Sequence, residues 1–221
     1  MSTNEAVPTP GLVPWAVLVP VKRLELAKSR LEGYTAEARR QLALAFAADV
    51  VSAVLRCASV ARVLVVTDDQ LAAQTLARLG ADITADGSAA GLNGALTRAA
   101  TLIGSQAGPG VDGLGVAVVQ ADLPALTSED LAATLQAVPR GRRAFVCDAE
   151  GRGTTMLAAS AGCALGAAYG PDSRLRHLAS GAVELVGMPA LRRDVDSRGH
   201  LIEAARLGVG EHTAAALDAL G

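Results

Sequence analysis

The sequence predicts one α/β domain with a mostly parallel central sheet flanked by helices, Rossmann-like in its front half. Three observations carry this. Short apolar, β-branched runs alternate with helical patterns along most of the chain, as parallel strands joined by crossover helices require. The length of 221 residues favours one large domain, at roughly 150 residues per domain. Hydrophobic residues make up 51% and charged residues 19%, a composition that buries a core, and the 2% of aromatics makes that core aliphatic.

The elements follow in order. WAVLVPV at Trp15–Val21 is apolar throughout and reads as a strand buried on both faces. Thr35 is a candidate N-cap for a helix over Ala36–Arg56, where Leu42, Phe46, Val50 and Val54 recur at helical spacing. VLVVT at Val63–Thr67 is a second strand, and Gln70–Leu79 a helix stopped by Gly80. Ile83 marks a short third strand, and Leu92–Ile103 a third helix. LGVAVVQ at Leu114–Gln120 is a fourth strand, followed by a helix from Ser128 to Ala137 with Thr127 and Asp130 at capping-box spacing. The last third is less regular. Ala144–Cys147, Thr155–Ala158 and Val183–Val186 read as short strands, and Arg174–Ala179, Leu201–Arg206 and Thr213–Leu220 as helices. Residues 1–13, with Pro8, Pro10 and Gly11, read as a flexible tail ahead of a single domain over 14–221.

Composition excludes several functions. Twenty basic against 22 acidic residues give a net charge of −2, with no electrostatic footprint for nucleic acid. Too few aromatics are present for base-stacking platforms. Cys57, Cys147 and Cys163 form no CxxC pair and are odd in number, which fits a reducing compartment. No basic residue precedes Lys22, so a signal-peptide n-region is missing. The uncharged stretch from Gly153 to Pro171 is too rich in Gly, Ala, Ser and Thr for a membrane span. A cytoplasmic, soluble protein without nucleic-acid or membrane partners is expected.

In sheets of this kind the ligand lies outside the carboxyl ends of the strands. The loop after the first strand holds Lys22, Arg23, Lys28 and Arg30. Asp68-Asp69 follows the second strand, Asp86-Gly87-Ser88 and then GLNGAL the third, and Asp122 the fourth. Cations at one loop and a carboxylate at another suit a polyphosphate and a divalent metal. Plainer readings stand beside these: a solvated basic face for the lysines, a turn cap for Asp122. Asp194 and Asp196 form a D-x-D whose side chains diverge in an extended strand and converge on one metal only where the backbone turns. Otherwise they are a charged surface loop. Walker's GxxxxGK[ST] is absent, and a GxGxxG at Gly108, Gly110 and Gly113 precedes a strand instead of following one, so it reads as a surface loop. His200 and His212 read as surface residues, His177 carries no assignment, and Cys57 and Cys147 read as core.

VPVKRLELAKSRL at the first of these loops resembles the opening signature of the guanylyltransferases that make the deazaflavin coenzyme F-420. TDD at Thr67–Asp69, GLNGAL at Gly91–Leu96, QADLPAL at Gln120–Leu126, GTT at Gly153–Thr155 and GPDS at Gly170–Ser173 follow in family order. The resemblance covers roughly residues 15 to 200. It implies a nucleotide-diphospho-sugar-transferase-like fold, similar to the domain that attaches GMP or CMP to molybdenum cofactor. It implies transfer of GMP from GTP to phosphoenolpyruvate, or to 2-phospho-L-lactate in archaea, with Mg2+ as cofactor. The Ala-rich, lysine-poor composition fits a high-GC genome such as an actinobacterium's, the branch for which the resemblance implies phosphoenolpyruvate.

By the same resemblance, Lys22, Lys28 and Arg30 hold the GTP phosphates and the departing pyrophosphate. Gly91, Leu92 and Asn93 line the nucleotide pocket. Asp122, with Asp194 or Asp196, holds the metal. Thr155, Gly170 and Ser173 bind the three-carbon acid. The product would be a guanosine diphosphate diester passed to the next enzyme of the pathway. One departure stands out: molybdenum-cofactor relatives carry a glycine-rich loop after the first strand, whereas here that loop is charged and lacks glycine until Gly33. Two rivals remain, a sugar transferase using Asp194-Val195-Asp196 as its metal motif, and a catalytically silent ligand-binding protein of the same fold.

Overall fold

The computed structural model describes residues 14–26, 28, 30–87, 91–106 and 113–221. The tail over 1–13 and most of the Gly108–Gly113 motif therefore lie outside the described residues. Seven strands form one sheet in the order β3-β2-β1-β4-β6-β5-β7. Their spans are β1 Trp15–Pro20, β2 Val60–Val66, β3 Asp82–Thr84, β4 Gly115–Val119, β5 Arg143–Cys147, β6 Thr154–Ala159 and β7 Val183–Glu184. Six run in one direction; β6 opposes them, between β4 and β5.

Successive strand residues point to opposite faces, and the aliphatic strands sort accordingly. Trp15, Val17, Val19, Val65, Ala117 and Val119 pack against helices α1 (Ala36–Arg56), α2 (Gln70–Arg78) and α4 (Ser128–Gln136). Ala16, Leu18, Leu64, Val118 and Leu157 face α3 (Gly91–Gln106) and the chain around Leu165 and Tyr169. α1 uses a second side, Leu42 and Phe46, to bury Val195, Leu201 and Ala204 of the C-terminal region. There α7 (Arg198–Leu207) and α8 (Glu211–Leu220) follow the short α5 (Ser173–Ala179) and α6 (Pro189–Arg192).

The expected caps are present. Thr35 Oγ1 accepts the Ala38 N–H at 3.1 Å, Thr127 Oγ1 accepts that of Asp130 at 3.1 Å, and Gly80 adopts φ +110° just past α2. β2 starts three residues earlier than the apolar run, because Arg62 belongs to the strand. Its guanidinium pairs with Asp82 on the neighbouring β3 at 2.8 Å. The turn Leu24–Leu26 and α6 have no counterpart in the sequence reading, although Pro189 at the first position of α6 is a usable start signal.

Two buried polar groups hold the frame across long sequence distances. Asp49, inside α1, accepts the N–H groups of His212 and Thr213 at 3.0 and 2.9 Å and so caps α8 from outside. Gly210 admits it, since a β-carbon there would collide with the carboxylate. His177 is fully buried, against the rings of Phe145 and Tyr169. Its Nε2 accepts the Ala168 N–H at 3.1 Å, which leaves the proton on Nδ1, 2.9 Å from Thr154 Oγ1. His200 and His212 are half-buried, contrary to the surface expectation: His200 Nδ1 lies 3.4 Å from the Asp196 N–H, and His212 Nε2 lies 3.4 Å from Ser52 Oγ. Cys57 and Cys147 are buried as expected.

Burial, with the Arg143 charge added, pushes the His177 imidazole down to about 4 from 6.5. Protonation would also set an Nε2–H against the Ala168 N–H. The unfolded chain takes up this proton first as pH falls. The contribution of neutral His177 is therefore intact above pH 6.5 and lost progressively towards pH 4. Chemical denaturation from pH 8 to 4 should show this loss, and His177→Gln should flatten it.

Candidate active site

The chain leaves β1 through β2 and β3 on one side and returns to β4 on the other. The β1/β4 gap is thus the topological switch point, where the two following loops diverge and open a crevice. A cavity of about 290 Å³ lies there, bounded by Val21, Lys22, Lys28 and Arg30 after β1, by Gln120 and Asp122 after β4, by Leu92 on α3 and by Asp196. The β1 loop is held by the Val21 N–H on the Val66 carbonyl at 2.9 Å and by fully buried Leu31. Lys22 and Arg30 are exposed.

Lys28 adopts φ +56°, a left-handed conformation that costs a lysine about 1 kcal/mol. In that position its ammonium reaches two carboxylates, Asp122 Oδ2 at 2.7 Å and Asp196 Oδ1 at 2.9 Å. Burial pulls the Lys28 pKa down, but Asp122 and Asp196 outweigh it and hold the group above the ordinary lysine value. Burial likewise pushes Asp196 up, and the Lys28 charge overrides it, leaving that carboxyl below its usual range.

Carboxylate oxygens of Asp194 and Asp196 come together where the chain turns at Arg193 and then bends at 196–197 into α7. The Asp194 N–H bonds the Arg192 carbonyl at 3.2 Å, and the Val195 N–H bonds the Asp122 carbonyl at 2.9 Å. The Val195 side chain is fully buried, and Ser197 then caps α7 on the His200 N–H. This turn satisfies the condition that the D-x-D spacing left open. Beside it, Arg193 is clasped by Glu150 at 2.6 Å and Glu203 at 3.0 Å, a support the sequence reading did not identify.

Carboxylate oxygens of Asp122, Asp194 and Asp196 lie within 4.8 Å of one another. Burial, followed by the charges of Asp122 and Asp196, drives Asp194 up to about 7. One oxygen each of Asp122 and Asp194 is buried without a hydrogen-bond partner among the described residues. Two orphaned carboxyl oxygens beside a third carboxylate form a hard oxygen donor set that fits a divalent cation.

The remaining sequence candidates fall around this cluster. Leu92 lines the cavity, and Gly91 starts α3 at φ +61°. Asn93 clamps the backbone of Tyr169: its Nδ2 donates to the Tyr169 carbonyl at 3.0 Å and its Oδ1 accepts the Tyr169 N–H at 2.8 Å. Its amide is thereby committed within the protein. Thr155 sits next to the cavity wall, its carbonyl accepting the Gln120 N–H at 2.9 Å. Its hydroxyl turns inward to the Val146 carbonyl at 3.4 Å. Gly170 is exposed, and buried Ser173 donates to Thr154 Oγ1 at 3.1 Å. Thr155, Gly170 and Ser173 stand outside the lining of the cavity that Lys28 and Asp122 share.

A mostly parallel sheet with a carboxylate cluster and a basic loop at its switch point defines an α/β protein equipped for a polyphosphate and a divalent cation. A family model described as "Guanylyl transferase CofC like" matches residues 15–187, and the chain belongs to that family. Curated relatives named phosphoenolpyruvate guanylyltransferase include one from Streptomyces avermitilis, 50% identical over 91% of this chain and 93% of its own length. Another, from Thermomonospora curvata, is 47% identical over 91% of this chain and 87% of its own. Among solved structures, a nucleotidyl transferase from Methanothermobacter thermautotroptrophicus superposes with a TM-score of 0.56 at 16% identity, over 89% of this chain and 98% of its own. A Mycobacterium tuberculosis protein solved in complex with manganese gives 0.51 at 16%, over 89% and 100%. These two show the shared fold.

Because Asn93 makes two hydrogen bonds to the backbone of one residue, Tyr169, Asn93→Ala should cost about 1–3 kcal/mol of stability. Urea denaturation of both proteins measures it.

Proposed function

We propose that this chain transfers GMP from GTP to phosphoenolpyruvate, releasing pyrophosphate, as a step of coenzyme F-420 biosynthesis in the cytoplasm. Membership of the guanylyltransferase family and the shared name of its relatives support this reading. The observation that carries it is the meeting of basic loop and carboxylate cluster at one crevice, through Lys28 on Asp122 and Asp196.

An oxygen of the acceptor's phosphate attacks the α-phosphorus of GTP as the bond from that phosphorus to the β-phosphate oxygen breaks. The acceptor phosphate is ionised at neutral pH, so no general base is required. The obstacle is repulsion between polyanions. Lys22, Lys28 and Arg30 counter it by holding the triphosphate and taking up charge on the leaving pyrophosphate. Asp122, Asp194 and Asp196 would hold Mg2+, which when bound neutralises phosphate charge and orients donor and acceptor.

Gly91 and Leu92 form the nucleotide wall, with Asn93 fixing its position through Tyr169. Thr155, Gly170 and Ser173 receive the acid through hydroxyl and backbone N–H groups, Ser173 exchanging Thr154 for the ligand. A single domain over 14–221 carries the reaction, and its product passes to the next enzyme of the pathway. The second reading, 2-phospho-L-lactate as acceptor, involves the same groups and differs by one unsaturation in the acid.

Pyrophosphate release from GTP and Mg2+ should depend on phosphoenolpyruvate when the next enzyme draws off product, and Asp122→Asn should lower it by at least about a hundredfold, near 2.7 kcal/mol. Release with 2-phospho-L-lactate alone would correct the acceptor. Silence with both acids would refute the reading and restore the sugar-transferase alternative.

A further inference from the structure

The carboxylate of Asp69 serves two elements at once. Oδ1 accepts the Ala72 N–H at 3.0 Å and caps α2; Oδ2 accepts the Leu24 N–H at 2.9 Å, across 45 residues of sequence. Leu24 opens the short turn that separates Lys22 from Lys28, and its side chain is buried in the main core. The Asp69 N–H is itself held by Thr67 Oγ1 at 3.1 Å, and the buried Thr67 N–H by the Thr84 carbonyl at 3.0 Å. The TDD segment is therefore rigid from β3 outwards, and its last carboxylate reaches into the loop after β1. Asp69 does not line the cavity.

We propose that Asp69 is a positioning residue that fixes the basic loop, and with it Lys22, Lys28 and Arg30, against the β2–α2 corner. The proposal rests on the reading of those three cations as ligands of the GTP phosphates. In a charged loop without glycine the cationic side chains are the groups best suited to meet phosphates, and they act only if the loop that bears them is held in place. Among the described residues between Val21 and the buried Leu31, the Leu24 N–H is where a side chain of a neighbouring element grips the loop's backbone.

The two roles of the carboxylate can be separated. Serine caps helices nearly as well as aspartate but is too short to reach Leu24. Asp69→Ser should therefore keep the thermal midpoint close to wild type, whereas Asp69→Ala loses the cap as well. With its anchor gone, the loop in Asp69→Ser should be nicked by trypsin after Lys22, Arg23 or Arg30 at least about fivefold faster, since local opening controls cleavage. The KM for GTP should rise at least about tenfold, with kcat changed less.

Wild-type nicking and wild-type KM in Asp69→Ser would overturn the proposal. So would a loss of stability equal to that of Asp69→Ala, which would make the carboxylate a helix cap and nothing more. If the wild-type protein turns over no GTP, the functional reading fails, and the tryptic rates alone decide the anchor: faster cleavage supports it, unchanged cleavage removes it.

Discussion

Three carboxylates within 4.8 Å of one another cannot all stay charged without a cation among them. At an effective dielectric constant of about 20, each pair of such charges repels by about 3–4 kcal/mol. The structure meets this in two ways: Lys28 bridges Asp122 and Asp196, and Asp194 has its carboxyl raised to about 7 by burial and by its two neighbours. Much of the surrounding architecture maintains this crowding. Val195 is buried and bonded to the Asp122 backbone, Arg193 is clasped between two glutamates, and Lys28 accepts a left-handed backbone. Repulsion gathered among three carboxylates, with the left-handed Lys28 beside them, points to that place as the functional centre.

The cluster also joins two halves of the chain. Lys22, Lys28 and Arg30 belong to the β1 side of the switch point, whereas Asp122 follows β4 and Asp194 and Asp196 come from the irregular C-terminal third. Ionic bonds through Lys28 tie the halves at the crevice, and the long helix α1 ties them beneath it by packing on both the sheet and the C-terminal helices. Asp49 completes that second tie by capping α8 from within α1. A polyphosphate entering the crevice would offer Lys28 a new partner and leave its carboxylates facing a cation. The division of basic and acidic groups between the two sides suits a reaction that brings polyanions together.

The fold was legible wherever local pattern and tertiary demand agree. β1 is apolar throughout because both its faces are covered, and Thr35, Thr127 and Gly80 end helices by local bonds that their spacing reveals. Arg62 masked the start of β2 because its partner, Asp82, lies on another strand. At the site, the residue types at the strand ends announced cations and carboxylates. Whether Asp194 and Asp196 face one point depends on how Val195 between them is anchored on the Asp122 backbone, a contact of long range that spacing cannot show. Asn93 has the chemistry of a nucleotide ligand, yet its amide is committed to Tyr169 from 76 residues away. His177 belongs to the core because Phe145, Tyr169 and Ala168 meet around it.

The arrangement of the site turns on whether Asp122, Asp194 and Asp196 hold a divalent cation together. Titration of Mn2+ followed by electron paramagnetic resonance, on wild type and Asp194→Asn without nucleotide, tests it most directly. Saturable binding to the wild type, weakened at least about tenfold or 1.4 kcal/mol in the variant at unchanged thermal midpoint, is the predicted result. Equal affinity in the two proteins, or no saturable binding by the wild type, would contradict it.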